Sequence, residues 1–245
     1  MHPSARFHIA DRAEMAALVR AEGLGTLTVN TDAGLRAVHV PVLLDGELLR
    51  FHVSRSNLVF KALSEGADAL FIASGPHAYL SPDWYGLPDR VATWSYVAVE
   101  LNGPVHPLAD DAFIRLLDEL SAEHEQRLAP KPPWTRAQMS PGRFEGLLKA
   151  IAGFEMHIAE WRGTAKIDQD KPEEVRTRIA AALRERGEDA MAALYSSPAF
   201  AGEGDRAQHG GGAAEAKPQP WASSLRSAPP PRSARSPSPG NPGED

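Results

Sequence analysis

The chain has 245 residues, 32 acidic and 26 basic side chains, and a formal net charge of −6, enough for one large domain or two small ones. It has no cysteine, which excludes disulfides, iron–sulfur clusters, thiolate zinc sites and a cysteine nucleophile. No apolar run reaches the ~18 residues that a spanning helix needs, and no secretory leader pattern opens the chain. A soluble cytoplasmic protein is expected, and the acidic balance argues against a broad nucleic-acid surface.

Asp11, with Glu14 three residues on, predicts a capped helix that Gly23 stops. Three strands then alternate with turns: Leu24–Asn30, Leu35–Leu44 and Glu47–Ser54, joined at Asp32-Ala33-Gly34 and at Asp45-Gly46. This is the pattern of an antiparallel meander. Pro41 is awkward in a central strand and points to an edge or a bulge. A short helix over Asn57–Ser64 and a buried strand over Ala67–Ser74 follow. A long strand lies within Val91–Gly103, and Phe113, Leu116, Leu117 and Leu120 mark an amphipathic helix over Asp110–Leu128. Ser140-Pro141 is expected to start a helix to Ile151, Phe154–Trp161 to form the last strand, and Asp170 to open a final helix ending near Gly187. The order is mainly β with helices (α+β), and a small closed or partly closed barrel satisfies it.

Residues 198–245 are different. They hold nine of the 21 prolines, seven glycines and six serines, and their five acidic and five basic side chains cancel. With few large apolar groups, this tail is expected to be disordered. The folded unit is then 1–197, and the whole charge of −6 belongs to it.

Four stretches could carry chemistry. In the first, His52 ends a strand and Ser54, Arg55, Ser56 and Asn57 lead into a helix bearing Lys61. Free N–H groups, a forked guanidinium and hydroxyls suit a phosphate, although a plain capped helix has the same look. In the second, five of the nine Trp and Tyr residues fall between Tyr79 and Tyr96: Tyr79, Trp84, Tyr85, Trp94 and Tyr96. Rings with polar tips suit a planar ligand, and equally a satellite core or a dimer interface. In the third, Thr26 and Thr28 face the strand of His39, where they could meet a heteroaromatic edge or simply alternate in a sheet. The fourth, Lys166-Ile167-Asp168-Gln169-Asp170, reads as a turn or a polar lid. The histidines are scattered, and neither HExxH, GxSxG nor GxGxxG is present, so no metal site is expected and no catalytic residue can be named.

Taken together, Gly75-Pro76-His77-Ala78-Tyr79, Ser81-Pro82-Asp83-Trp84-Tyr85 and Thr93-Trp94-Ser95-Tyr96 resemble the FMN-binding split-barrel family of negative transcriptional regulators (PaiB-like). Val38-His39-Val40-Pro41, His52 through Asn57, Ile151-Ala152-Gly153-Phe154 and Lys166-Ile167-Asp168-Gln169 extend the likeness, which runs from about Phe7 to Tyr195. The resemblance implies a six-stranded antiparallel split barrel, a homodimer, and FMN held between subunits. It implies Arg55, Ser56, Asn57 and Lys61 at the phosphate end. It places Thr26, Thr28 and His39 near the flavin, with His52, Lys166 and Gln169 in the same motifs and Tyr79, Trp84, Trp94 and Tyr96 around the cleft. Three positions depart from the family: Ser95 stands where Asn is common, and Asp168 and Asp170 where Ser and Asn are common. Carboxylates beside a phosphate would repel it, whereas Asp170 as a helix cap would be favourable. The resemblance implies a regulatory or sensory role. A flavin-dependent oxidoreductase related in fold to pyridoxamine-phosphate oxidases and flavin reductases is the alternative, with His77 and Tyr96 the first residues to test. A dimer that has lost FMN is a third reading.

Overall fold

A computed structural model describes residues 2–197. The tail expected to be disordered, 198–245, lies outside the described residues. Strand β1 (His8–Ile9) precedes helix α1 (Arg12–Glu22). Asp11 caps that helix, its Oδ1 accepting from the Ala13 N–H at 2.7 Å, and Gly23 ends it at φ 63°. Strands β2 (Leu24–Thr31), β3 (Gly34–Asp45) and β4 (Leu48–Ser54) form the expected meander. Then come α2 (Phe60–Ser64), β5 (Asp68–Leu80), β6 (Thr93–Pro107), α3 (Asp110–Gln126) and α4 (Arg143–Leu148). The last elements are β7 (Ile151–His157), β8 (Glu160–Lys166), α5 (Glu173–Glu185) and α6 (Asp189–Ser196).

The strands run in the order β1-β8-β6-β5-β2-β3-β4-β7, every neighbouring pair is antiparallel, and a further β6–β7 pairing closes the ring. Six strands, β6-β5-β2-β3-β4-β7, thus form the split barrel, with β8 and β1 added along β6. Leu27, Val40, Phe51, Phe71, Leu101 and Phe154 fill it completely buried. Each such side chain stabilises the fold by ~1.5–3 kcal/mol.

Three irregularities shape the barrel. The first is Pro41. The β3 ladder to β2 ends at Leu24↔Pro41, and the ladder to β4 begins at Val42↔Phe51. Proline has no N–H to give, so it stands where the strand changes partner. Here β3 and β4 part. The second is a bulge at Gly75-Pro76, between the pairs Ser74↔Ala98 and His77↔Tyr96. It reverses the alternation: Ala69, Phe71 and Ala73 point inward before it, Ala78 and Leu80 after it. Residues 75–80 therefore continue the strand, which was expected to end at Ser74. The third is a step at Ile158-Ala159. The expected last strand becomes β7 and β8, pairing successive stretches of β6. Gly103 permits the step, since a Cβ there would lie 2.0 Å from the His157 carbonyl oxygen.

Other boundaries also shift. α4 starts after Gly142 in a left-handed conformation, so Ser140-Pro141 is not its cap. The final helix starts after Pro172, not at Asp170, and a second one, α6, follows the turn at Gly187. α3 lies on the outside of the barrel, burying Phe113, Leu116 and Leu120 against Leu43 and Ile151. Gly153 lets it approach so closely: a Cβ there would sit 2.4 Å from the Phe113 ring.

Candidate functional site

Beyond β4 the chain turns sharply before α2. The Asn57 N–H donates to the Ser54 carbonyl at 3.0 Å, and Asn57 Oδ1 accepts from the Val59 N–H at 3.1 Å. The backbone N–H and Oδ1 of Asn57 thus shape the turn. Ser54 and Ser56 share a hydroxyl contact of 2.8 Å. Arg55 is exposed; its Nε donates to the Ile151 carbonyl at 3.0 Å and its guanidinium lies over the Phe60 ring. That bond uses one of five N–H donors, so the turn carries a fixed guanidinium beside two hydroxyls. Lys61 lies elsewhere in the electrostatics. Its Nζ reaches Asp32 on the β2–β3 turn at 2.6 Å, and each partner holds the other charged. The local positive charge therefore centres on Arg55.

The outer face of the sheet carries the second group. Thr26 pairs with His39 across β2 and β3, and its hydroxyl meets His39 Nδ1 at 3.1 Å. Thr28, two residues on, donates its one proton to the Leu70 carbonyl at 3.1 Å and keeps only acceptor capacity. The bulge at Gly75-Pro76 turns His77 and Tyr79 to this outer side, against Tyr96 and Trp94 of β6. Trp94 stacks edge-on to Tyr79 with centroids 6.0 Å apart and lies 6.2 Å from the His77 ring. Both aromatic rings are left open to solvent, Trp94 at 56% and Tyr79 at 48% exposure. Trp84 is different: it packs against the main core from the 3₁₀ turn Pro82–Tyr85.

Lys166 and Gln169 are already committed. Lys166 Nζ donates to Thr93 Oγ1 at 2.6 Å and to the Trp94 carbonyl at 2.7 Å, fixing the start of β6. Gln169 Nε2 donates to the carbonyls of Arg6 and Ala165, at 2.9 and 2.8 Å.

Of the acidic positions near them, Asp168 turns inward and Asp170 stays at the surface. Asp168, at φ 52°, accepts from the Tyr85 hydroxyl at 2.7 Å and the Tyr195 hydroxyl at 2.8 Å. Tyr195 in turn contacts Ser95 Oγ at 2.7 Å in the core. Burial, then the Asp168 carboxylate, raises both phenols above their ordinary range. Asp170 meets Lys171 at 2.8 Å and Arg6 at 3.2 Å. Both carboxylates are thus engaged within the chain, and neither caps α5. No motif around Tyr85 or Tyr195 marks either as part of a polar network. The only sequence signal is that Tyr195 closes an apolar run, AMAALY, where a buried phenol needs a partner.

His52 sits at the split. It points outward from β4, half-buried, 6.4 Å from the Phe113 ring. Its Nδ1 is buried and has no hydrogen-bond partner. Burial lowers its pKa, so the ring is neutral at pH 7. Beside it and Pro41 a cavity of about 390 Å³ opens under α3 and α4.

A family model described as "Putative FMN-binding domain" matches residues 1–160. The chain belongs to this FMN-binding domain family. The match takes in the Arg55 turn, the Thr26–His39 face, the aromatic pair and His52, and stops short of Lys166 and Gln169. The chain is also 26% identical over 171 residues to the protease synthase and sporulation protein PAI 2 of Bacillus subtilis (strain 168), covering 68% of this chain and 81% of that one. Among solved structures, a conserved hypothetical protein of Mycobacterium tuberculosis aligns with TM-score 0.50 and 12% identity, over 70% of this chain and 94% of its own. The FAD and heme binding protein of Mycobacterium smegmatis aligns with TM-score 0.49 and 21% identity, over 65% and 73%. The likeness to the Mycobacterium tuberculosis structure is one of fold alone. Among the described residues, no helix is long and apolar enough to cross a membrane, and no cluster of His, Asp and Glu could hold a metal ion.

Proposed function

We propose that the chain is an FMN-binding homodimer of the cytoplasm that acts as a regulatory or sensory protein. The observation that carries this reading is that one chain has both an exposed, anchored Arg55 turn and an open aromatic face at Tyr79 and Trp94. The donor chemistry fits FMN. A guanidinium with two hydroxyls suits a dianionic phosphate, and the Thr26–His39 pair with exposed rings suits a flat heteroaromatic ring. FMN, when bound, supplies the redox chemistry. The chain supplies position: Arg55 and Ser56 hold the phosphate end, while Thr26, His39, Tyr96 and the Tyr79–Trp94 pair flank the ring. Asp168 does not oppose this, because its charge is held by two phenols inside the fold.

Homodimerisation is supported by the same face. Trp94, Tyr79 and Leu24 are exposed apolar side chains on sheet strands, and a second copy would cover them. The regulatory role is supported by likeness to the Bacillus protein, whose name ties it to protease synthesis and sporulation. The acidic folded part disfavours direct contact with DNA phosphates. Regulation would then run through the flavin state or a protein partner. A sequence-specific mobility shift with the purified chain would reverse that last point.

The second reading is a flavin-dependent oxidoreductase. It draws on the apolar cavity beside His52, which gives room for a second small molecule. Sustained NAD(P)H-dependent turnover of bound FMN with a defined acceptor would favour it over the sensor.

A further inference from the structure

The cavity beside the split is built from four parts. Leu117, Leu120 and Ser121 of α3 form one wall, and Leu147 and Leu148 of α4 another. Trp134 and Met139 from the segment between the helices close the side, and Pro41, His52 and Ile151 of the barrel form the floor. Its volume, about 390 Å³, falls in the range of small-ligand pockets. Trp134 and Leu147 remain exposed at 39% and 42%, so its apolar lining reaches the surface.

The carboxylates and the guanidinium of its wall are paired, and the His124 imidazole lines it as well. Arg136 Nε meets Asp118 Oδ1 at 3.0 Å. Glu125 is taken by Lys131 and by the Trp134 N–H, the latter at 2.8 Å. The floor offers one polar group of another kind, the neutral His52 ring with its partnerless Nδ1. A buried nitrogen left unpaired is a cost that a ligand can recover. An anion or a cation finds no spare countercharge among those pairs. An uncharged molecule does not need one.

We propose that this cavity binds a small, uncharged, largely apolar molecule that makes one hydrogen bond to the His52 imidazole. It is a site separate from that of FMN. The segment running from His52 through Ser54 to Arg55 joins the cavity floor to the phosphate turn, so an occupant would report directly on the flavin end. The proposal does not depend on FMN being bound.

The test uses the full chain and N-phenyl-1-naphthylamine, a neutral apolar fluorophore with one N–H. Saturable enhancement at about one probe per chain is expected. Leu147→Trp and Met139→Trp, which fill the cavity from two sides, should each weaken binding roughly fivefold or more while keeping the native circular dichroism and FMN affinity. Hydrogen exchange on the wild-type chain gives a readout free of variants: the probe should protect 116–125 and 143–151. Non-saturating emission, protection elsewhere, or unchanged binding by both variants overturns the proposal. So does one-for-one displacement of the probe by FMN, which would make this the flavin's own pocket. Probe binding by a chain that ignores FMN would uphold the cavity and refute the flavin reading.

Discussion

The Ser95 and Tyr195 hydroxyls meet at 2.7 Å in the barrel wall, bridging a strand to the last helix. Tyr195 has one proton to give, and it goes to Asp168 at 2.8 Å. Ser95 must therefore donate to Tyr195, and Tyr85 supplies the second donor to the carboxylate at 2.7 Å. Ser95 and Asp168, two of the three positions that the family resemblance implies as departures, are thus members of one network. Tyr195→Phe should cost about 1–3 kcal/mol in urea unfolding, because it leaves Ser95 without its acceptor and Asp168 with one phenol fewer. Adding Ser95→Ala to that variant should cost much less than it does in the native chain. Strict additivity would show that the two hydroxyls do not act together.

The same network gives a pH dependence. Both phenols titrate above their ordinary value near 10 in the folded chain, chiefly because they are buried and also because they donate to Asp168. A raised folded value means the stabilisation is complete below pH ~10 and is lost as pH climbs beyond it. The unfolding free energy should fall above pH ~10 more steeply in the native chain than in Tyr195→Phe. Parallel curves would contradict the assignment.

Arg55→Ala should weaken FMN binding by roughly tenfold or more, and Lys61→Ala by much less. Arg55 keeps free donors beside Ser56, whereas Lys61 is 2.6 Å from Asp32. Fluorescence titration of FMN against each variant decides this. Equal losses would place the phosphate between the two side chains instead.

Gly103→Ala should destabilise the barrel by about 3 kcal/mol, because its Cβ meets a carbonyl oxygen 2.0 Å away. A backbone atom cannot rotate aside. The midpoint of thermal unfolding should drop by several degrees, and an unchanged midpoint would mean the β7–β8 step relaxes freely.

The meander, the first helix and α3 were legible because each rests on local signals: the Asp11 cap, the turn residues, and Phe113, Leu116 and Leu120 at helical spacing. Strand β5 past Ser74 was not, because a bulge breaks the period-2 pattern that marks a strand. α6 was hidden by its length, only eight residues, and by dependence on packing against α5. At the candidate site, Arg55 and the aromatic strip stood out by residue type. The commitments of Lys61, Lys166 and Gln169 did not, since their partners are Asp32, Thr93 and Arg6, far away in sequence. Pro41, read as an edge or a bulge, instead stands where an interior strand changes its partner from β2 to β4.

FMN binding by this split barrel is the proposal on which the other readings rest. The most direct measurement is an equilibrium titration of FMN fluorescence with the full chain, run with sedimentation of the same sample. The account predicts quenching that saturates at about one FMN per chain in a dimer. A chain that leaves FMN fluorescence unchanged and sediments as a monomer would contradict it.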